Sequence, residues 1–346
     1  MTLEAALRDQ VARATGRPQD GAPVQRLKGD ASNRSYLRVG TWPDSLVVMV
    51  MPPQAHSSEE ASGDAVPEEL PFVDVQRYLR RLGVRVPSIL HYDERAGMMV
   101  LEDLGDVTLE KALGGTATEP LYRSAVDLLA RLRGAAEASP EPRSIAFQRA
   151  FDEELYLWEL HHFREWGLEA WSGKTPTPAE RSVLESSFRS IAHRLAAAAR
   201  GFTHRDYQSR NLMVKGGEVV VIDFQDALQG PRAYDLVALL RDSYVALDEE
   251  LVDALLRQYQ ERLPRAAGEP VEPAAFRNFF DLLTVQRKLK DAARFEYIHR
   301  VKQNPGFLPH IPLSLSYVRR AFERLLQDEH VQALRRVASR YLPELA

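Results

Sequence analysis

The sequence predicts an α+β protein in which a group of strands comes first and a longer group of helices follows. In the N-terminal third, short apolar runs alternate with polar turns, whereas after residue 106 apolar residues recur three and four positions apart. Strands and helices that are segregated along the chain are typical of this class. At 346 residues the chain is too long for one small core, so we expect two lobes, at residues 1–104 and 105–346.

Five short apolar runs predict a small antiparallel sheet in the first lobe. An amphipathic helix over residues 3–14, capped by Thr2, precedes the strands. One further helix, from Glu68 to Leu82, is inserted between the third and fourth strands. The predicted strands are Val24–Leu27, Ser35–Val39, Leu46–Val50, Ser88–Tyr92 and Met98–Leu101.

The second, larger lobe is predicted to be mainly helical, because its apolar residues follow the helical period. The predicted helices are Glu119–Ala138, Phe147–Trp166, Pro178–Ala199, Tyr234–Val245, Glu249–Arg262, Pro273–Val301, Leu313–Leu326 and His330–Leu342.

Composition limits the partners of the chain. A net charge of −4 and a pI near 6.2 argue against a protein that binds nucleic acid through overall positive charge. The absence of cysteine excludes disulfides and cysteine-based zinc sites. No apolar run is long enough for a membrane span, and the first residues lack the features of a signal peptide. We therefore expect a cytoplasmic location and neither a nucleic-acid nor a membrane partner. We also expect a monomer, although composition does not bear on it.

One stretch has the residue pattern that phosphoryl transfer needs. His204 to Asn211 reads H-R-D-x-x-x-x-N, and after the apolar run at residues 219–222 the chain continues D-F-Q from Asp223. Phosphoryl transfer requires a carboxylate that accepts the proton of the acceptor hydroxyl, and oxygen ligands that hold Mg²⁺ on the phosphates. The spacing matches the catalytic loop of protein kinases. Asp206 is the candidate base, and Asn211 and Asp223 are the candidate metal ligands.

A polar turn between the first two strands is a candidate phosphate-binding element. Successive backbone N–H groups in such a turn can point at an anion, although a plain hairpin turn fits the same residues. The candidate residues are Gly29, Asp30, Ala31, Ser32, Asn33 and Arg34.

The third strand lacks the lysine that contacts the phosphates in protein kinases. Its apolar run continues to Met51 without a cation. The basic residues that could replace it by position are Lys28, Arg34 and Arg38. The missing lysine leaves open a catalytically inactive protein that binds nucleotide or a partner.

The linker between the lobes is expected just after the fifth strand. In a two-lobed kinase this position bonds the adenine edge through its backbone, which assigns Glu102 and Leu104 to the nucleotide. A turn that merely ends the strand is the alternative.

Three residues near the catalytic motif are assigned to the acceptor or to the loop itself. Asp226 could bind a sugar hydroxyl or cap a turn, and Arg205 could pair with a carboxylate near the site. Asp235 is expected to hold the catalytic loop by hydrogen bonds.

The predicted helix Pro273–Val301 carries a basic face. Our default interpretation is that this face is solvated, and the alternative is that it contacts an anionic acceptor. Its cations are Arg287, Lys288, Lys290, Arg294 and Arg300.

These motifs resemble the aminoglycoside phosphotransferase and choline kinase family, small-molecule kinases with a two-lobed protein-kinase-like fold. The D-F-Q-D-A and G-P-x-x-Y-D-L motifs most resemble those of bacterial kinases that phosphorylate N-acetylmuramate and N-acetylglucosamine at the anomeric hydroxyl. The matching segments are 29–38, 48–53, 71–75, 101–105, 203–212, 222–227, 230–236 and 286–290.

The resemblance implies an enzyme that uses ATP and Mg²⁺, with Asp206 as the base and the turn at residues 29–34 over the phosphates. Gln225 replaces the glycine of protein kinases, a position at which the family varies. The implied product is a sugar 1-phosphate, made during the recycling of cell-wall sugars. The alternatives are a kinase of the same fold that acts on an aminoglycoside, choline or homoserine, and a nucleotide-binding pseudokinase.

Overall fold

The first lobe is built on one antiparallel sheet of five strands. The structure, a computed structural model, describes residues 2–27, 34–51, 69–263 and 272–346. The strands are β1 (Val24–Arg26), β2 (Ser35–Val39), β3 (Leu46–Val50), β4 (Ile89–Asp93) and β5 (Met98–Glu102). Their order in the sheet is β1-β2-β3-β5-β4, with antiparallel pairing throughout. The predicted strands are confirmed to within one residue at each end.

Helices pack on both faces of this sheet. Side chains alternate along β3, so Val48 faces α1 (Leu3–Thr15), whereas Met49 faces α2 (Pro71–Arg81). The Thr2 hydroxyl caps α1, as predicted, by accepting the N–H of Ala5. The second helix begins at Pro71, since a proline ring is accommodated in the first turn of a helix; Glu68, its predicted first residue, lies outside the described residues.

The second lobe is mainly helical, as predicted. A π-helical segment, Phe163–Ala170, directly continues the helix Glu153–His162. No helix in the described ranges is long and apolar enough to cross a membrane. The helices are α3 (Leu109–Ala112), α4 (Thr118–Ala138), α5 (Ile145–Gln148), α6 (Glu153–His162), α7 (Pro178–Ala196), α8 (Tyr234–Leu240), α9 (Glu249–Arg262), α10 (Pro273–Lys302), α11 (Ile311–Arg324) and α12 (Glu329–Ala338).

The predicted helix over residues 147–166 is wrong in its first part. The chain leaves α5 at Arg149 and pairs with Gln229, whose N–H donates to the Arg149 carbonyl at 2.9 Å and whose carbonyl accepts the N–H of Phe151 at 2.8 Å. Asp152 then caps α6 through the N–H of Leu155. Pairing between segments distant in sequence therefore overrides the local helical pattern.

The two lobes share one continuous apolar core. Phe72 of α2 lies 4.9 Å from Phe224, the aromatic residue of the D-F-Q motif, between ring centroids. The carboxylate of Asp74 accepts hydrogen bonds from the Ser144 hydroxyl and the N–H of Ile145, both at 2.8 Å. The first lobe is thus packed directly against the strand end that carries Asp223.

Candidate active site

Two pairs of short strands place the catalytic motif. The first pair consists of β6 (Arg200–Thr203) and β9 (Leu228–Pro231), and the second of β7 (Leu212–Lys215) and β8 (Glu218–Val221). The loop that contains Asp206 joins β6 to β7, and Asp223 follows β8. The two carboxylates are therefore brought together although 17 positions separate them in sequence.

Asp235 holds the start of the loop in an unusual backbone conformation. Its carboxylate accepts the N–H groups of His204 at 2.7 Å and of Arg205 at 2.9 Å. Arg205 has a φ of 79°, in the left-handed region that non-glycine residues rarely adopt. Such strain persists where surrounding contacts hold it, often at functional sites. The role expected of Asp235 agrees with these contacts.

His204 connects the loop to the strand that leads to Asp223. It is fully buried, its Nε2 lies 2.9 Å from the carbonyl of Ile222, and its Nδ1 accepts the N–H of Asp206 at 3.2 Å. The hydrogen is therefore on Nε2, since a carbonyl can only accept. Burial lowers the pKa of His204 against the opposing effects of Asp235 and Asp206, which keeps the ring neutral.

The predicted metal ligands lie side by side. The Asn211 amide donates to the Asp206 carbonyl at 2.9 Å and to a carboxylate oxygen of Asp223 at 3.3 Å. The Gln225 amide donates to Asp223 at 2.9 Å and to Asp226 at 3.2 Å. Gln225, which stands where protein kinases have glycine, thus bridges two carboxylates.

The electrostatics around Asp223 favour a cation. Although Asp223 is partly exposed, the protein around its carboxylate removes water from it and raises its pKa to about 6; the charges of Asp206 and Asp226 add to this effect against the hydrogen bond from Gln225. In the described ranges no group of three or more His, Cys, Asp or Glu side chains could hold a metal alone. Mg²⁺ in kinases is bound by one or two side chains together with substrate phosphates, so this donor set fits it.

Arg287, on α10, contacts the predicted base and was not singled out for that role from the sequence. Its guanidinium donates to an oxygen of Asp206 at 3.2 Å and to the carbonyl of Arg205 at 2.8 Å. Burial tends to raise the pKa of Asp206, but the charges of Arg287 and Lys290 outweigh burial and bring that pKa below its usual value. Asp206 is therefore ionised at neutral pH, as a base must be.

The default interpretation of the late basic helix as a solvated face is wrong for three of its cations. Arg287, Lys288 and Lys290 are all buried, and the two lysines pair with Asp291. Arg294 is half-buried and Arg300 is exposed.

Of the two described residues proposed to replace the missing lysine, Arg34 rather than Arg38 acts on the candidate metal site. Burial raises the pKa of Tyr36, an effect opposed by a hydrogen bond from Arg34, and the Arg34 charge also acts on Asp223. Arg38 is instead engaged at the linker by Asp103 and Asp106, each at 3.0 Å from its Nη2. Lys28 lies outside the described residues, as do Gly29, Asp30, Ala31, Ser32 and Asn33 of the predicted phosphate-binding turn.

The linker residues are held by charged contacts. The carboxylate of Glu102 is bound by Arg85 and by Lys215, the latter at 2.9 Å, and Lys215 also donates to the carbonyl of Asp103 at 2.8 Å. The side chain of Glu102 is therefore occupied. Leu104 is buried against Met213 and Val220, beneath the linker.

The two residues assigned to the acceptor flank the catalytic loop. Asp226 is half-buried and directly follows Gln225. Arg205 is buried, with its guanidinium 6.0 Å from the centroid of the Phe151 ring.

A two-lobed fold that brings the predicted base, the two predicted metal ligands and a braced loop into one site is the arrangement expected of a phosphotransferase. The model of the phosphotransferase enzyme family (APH) matches residues 23–276. The chain belongs to this family, which confirms the resemblance and the kinase class predicted from the sequence.

Proteins that are similar to this chain over most of its length include kinases. An N-acetylmuramate/N-acetylglucosamine kinase of Neisseria meningitidis is 35% identical over 88% of this chain and 87% of its own length. One of the same name from Pseudomonas aeruginosa is 34% identical over 85% of this chain and 82% of its own length.

Solved structures share the fold at low sequence identity. A choline kinase of Streptococcus pneumoniae superposes with a TM-score of 0.60 at 16% identity, over 94% of this chain and 99% of its own. An amicoumacin kinase in complex with AMP-PNP and Ca²⁺ gives a TM-score of 0.58 at 15% identity, over 94% of this chain and 97% of its own. The predicted two-lobed protein-kinase-like fold is thereby confirmed.

Proposed function

We propose that this chain transfers the terminal phosphoryl group of ATP to the anomeric hydroxyl of N-acetylmuramate or N-acetylglucosamine. The observation that carries the proposal is the meeting of Asp206, Asn211 and Asp223 in one site. Relatives of that name, similar over most of the chain, indicate the substrate. The product would be a sugar 1-phosphate, as expected in the recycling of cell-wall sugars.

Asp206 is arranged to receive the acceptor proton. Arg287 binds one carboxylate oxygen, and the other has no hydrogen-bond partner among the described residues. As that oxygen takes the hydroxyl proton, the acceptor oxygen bonds to the γ-phosphorus, the bond from phosphorus to the bridging oxygen breaks, and ADP leaves. An anomeric hydroxyl is more acidic than an ordinary alcohol, so positioning and charge neutralisation supply most of the acceleration.

Asn211 and Asp223 would hold the divalent cation, which we propose to be Mg²⁺. Their amide and carboxylate oxygens are the ligands that this ion prefers. A bound cation would neutralise charge on the phosphates of the nucleotide. Gln225 orients Asp223 for this purpose through its 2.9 Å hydrogen bond.

The nucleotide base would contact the backbone of the linker at Leu104, since the N–H of Glu102, the other residue assigned to it, already donates to the Ser88 carbonyl at 2.9 Å. The peptide groups of Leu104 have no hydrogen-bond partner within the described part of the chain, which leaves them available to the adenine edge. The buried apolar cluster of Leu104, Met213 and Val220 supports the linker at this point. Arg34 would complement the phosphates beside Asp223.

The test combines one substitution with a panel of acceptors. The Asp206→Asn variant is expected to lose about 10²- to 10⁴-fold in turnover while it still binds ATP, because only the proton acceptor is removed. ADP release would be measured with N-acetylmuramate, N-acetylglucosamine, choline, homoserine and an aminoglycoside. Asp9→Asn, in an exposed ion pair of α1, is the matched control and should behave as the wild type.

Near wild-type turnover in Asp206→Asn would show that the base is assigned wrongly. Activity on choline or an aminoglycoside, with none on either amino sugar, would contradict the substrate but not the kinase. The boundary between the lobes at residue 104, the monomeric state and the cytoplasmic location stay predictions from the sequence.

A further inference from the structure

Arg149 differs from the other deeply buried arginines of the described residues because its guanidinium has no partner. Six arginines are at least nine-tenths buried, and five of them have polar or charged partners. Arg149 is 8% exposed, yet within the described ranges its guanidinium makes no hydrogen bond and no ion pair. Because a buried charge is costly unless it is paired, this arrangement suggests a partner that comes from outside the chain.

The backbone places Arg149 beside the acceptor end of the catalytic loop. Its carbonyl is bonded to the N–H of Gln229, three residues after Asp226. Gln229 lies on β9, whose partner strand β6 leads directly into Arg205. Three segments distant in sequence therefore bring Arg149, Arg205 and Asp226 into one neighbourhood.

The acids near Arg149 act on it only at a distance. Burial lowers the pKa of Arg149, Asp226 and Asp74 oppose that effect from beyond ion-pair distance, and the charge of Arg205 adds to it. Arginine nevertheless stays charged in proteins. No carboxylate of the described residues contacts this guanidinium, so it can bind a negative group directly.

We propose that Arg149 binds the carboxylate of the acceptor and thereby selects N-acetylmuramate over N-acetylglucosamine. The two sugars differ by a lactyl ether at O3, which ends in a carboxylate. The planar guanidinium can bind a carboxylate through two parallel hydrogen bonds. This inference rests on the proposed function, since it places the anomeric hydroxyl at Asp206 and the lactyl group towards Arg149.

The test is the ratio of kcat/KM for the two sugars. In Arg149→Met, kcat/KM for N-acetylmuramate should fall about 10- to 100-fold, which is the loss expected when a hydrogen bond to a charged group is removed. The decrease for N-acetylglucosamine should be much smaller. The methyl ester of N-acetylmuramate, which lacks the charge, should be as insensitive as N-acetylglucosamine. Arg149→Lys should restore part of the selectivity. Arg143→Met, an exposed arginine on the connection before α5, is the matched control.

An equal loss on both sugars in Arg149→Met would assign the residue a structural role and overturn the proposal, as would an unchanged ratio. Wild-type enzyme that phosphorylates neither sugar would refute the proposed function itself. A wild type that uses both sugars, with a variant of unchanged selectivity, would refute only the role of Arg149.

Discussion

Replacing Arg287 by methionine should reveal how the protein keeps its catalytic base ionised. The guanidinium is 1% exposed and bonds both an oxygen of Asp206 and the carbonyl of Arg205. Methionine fills similar space but has no charge and no donor. The Asp206 carboxylate would lose its nearest cation, so its pKa should rise, because the effect of burial would then be opposed mainly by Lys290.

The size of the effect follows from these contacts. A buried carbonyl left without a donor and the loss of the cation over the Tyr234 ring, 4.8 Å away, should together lower the free energy of unfolding by about 2–4 kcal/mol. The side chain of Asp206 is 36% exposed, so water can replace its lost hydrogen bond. A small displacement of the base should reduce kcat by about 100-fold.

The assay is kcat/KM for the sugar from about pH 3 to pH 8. Protonation of Asp223 is expected near pH 6, and the acidic limb that reports the base lies below it, because the pKa of Asp206 is lowered from its ordinary value. In Arg287→Met this limb should move to higher pH. Arg287→Lys keeps the charge but cannot reach both acceptors, so it should lower kcat with a smaller movement of the limb. Arg300→Met, on the exposed end of the same helix, is the control. An unmoved limb in Arg287→Met would refute the idea that this cation sets the ionisation of Asp206.

Two further predictions concern stability. Burial tends to raise the pKa of Glu249, but hydrogen bonds from Arg241 and Arg320 outweigh it and lower that pKa to about 2. The stabilisation is present above the unfolded-state value and is lost as the pH falls through about 2. Glu249→Gln should therefore cost about 3 kcal/mol at neutral pH and progressively less in acid, as urea denaturation at several pH values would show; a pH-independent cost would contradict it. Phe72→Ala should cost about 3–5 kcal/mol in the same assay, because the ring is buried against Phe224; a cost below about 1 kcal/mol would show that the lobes do not depend on this contact.

The sequence predicts the elements well where the pattern is local. The five strands of the first lobe and helices such as Glu249–Arg262 are found at or near the predicted bounds. The spacing of His204 to Asp223 also identifies the loop, since phosphoryl transfer requires these residue types at these intervals. The short strand pairs that position the loop were not predicted, except for the apolar run at residues 219–222. Four-residue strands are specified by partners distant in sequence rather than by their own pattern.

The burial of three cations on α10 is a second feature that the sequence pattern did not predict. Considered alone, Arg287, Lys288 and Lys290 look like a solvated face. At 100° per residue, the apolar residues Leu282, Leu283, Val285, Leu289 and Ala292 cover about half of the helix circumference, whereas Arg287 and Lys288 lie on the other half, as in an amphipathic surface helix. In the fold this second face is also buried, by elements that are distant in sequence, so its charges must find partners inside the protein. Asp291, directly beside Lys290, is the partner that the sequence offered.

The cations around the site bear on the interpretation of the missing third-strand lysine. In a protein kinase one lysine contacts the phosphates and helps to define the active state. Here a cation acts on each of the two carboxylates proposed for the site, because Arg287 contacts Asp206 and the charge of Arg34 lowers the pKa of Asp223 against the larger effect of burial. Arg38, the other described candidate, is committed to the linker. A buried arginine that keeps Asp206 ionised is expected of a site in which Asp206 acts as the base, so the Arg287 contact supports the proposed catalysis more directly than the absent lysine opposes it.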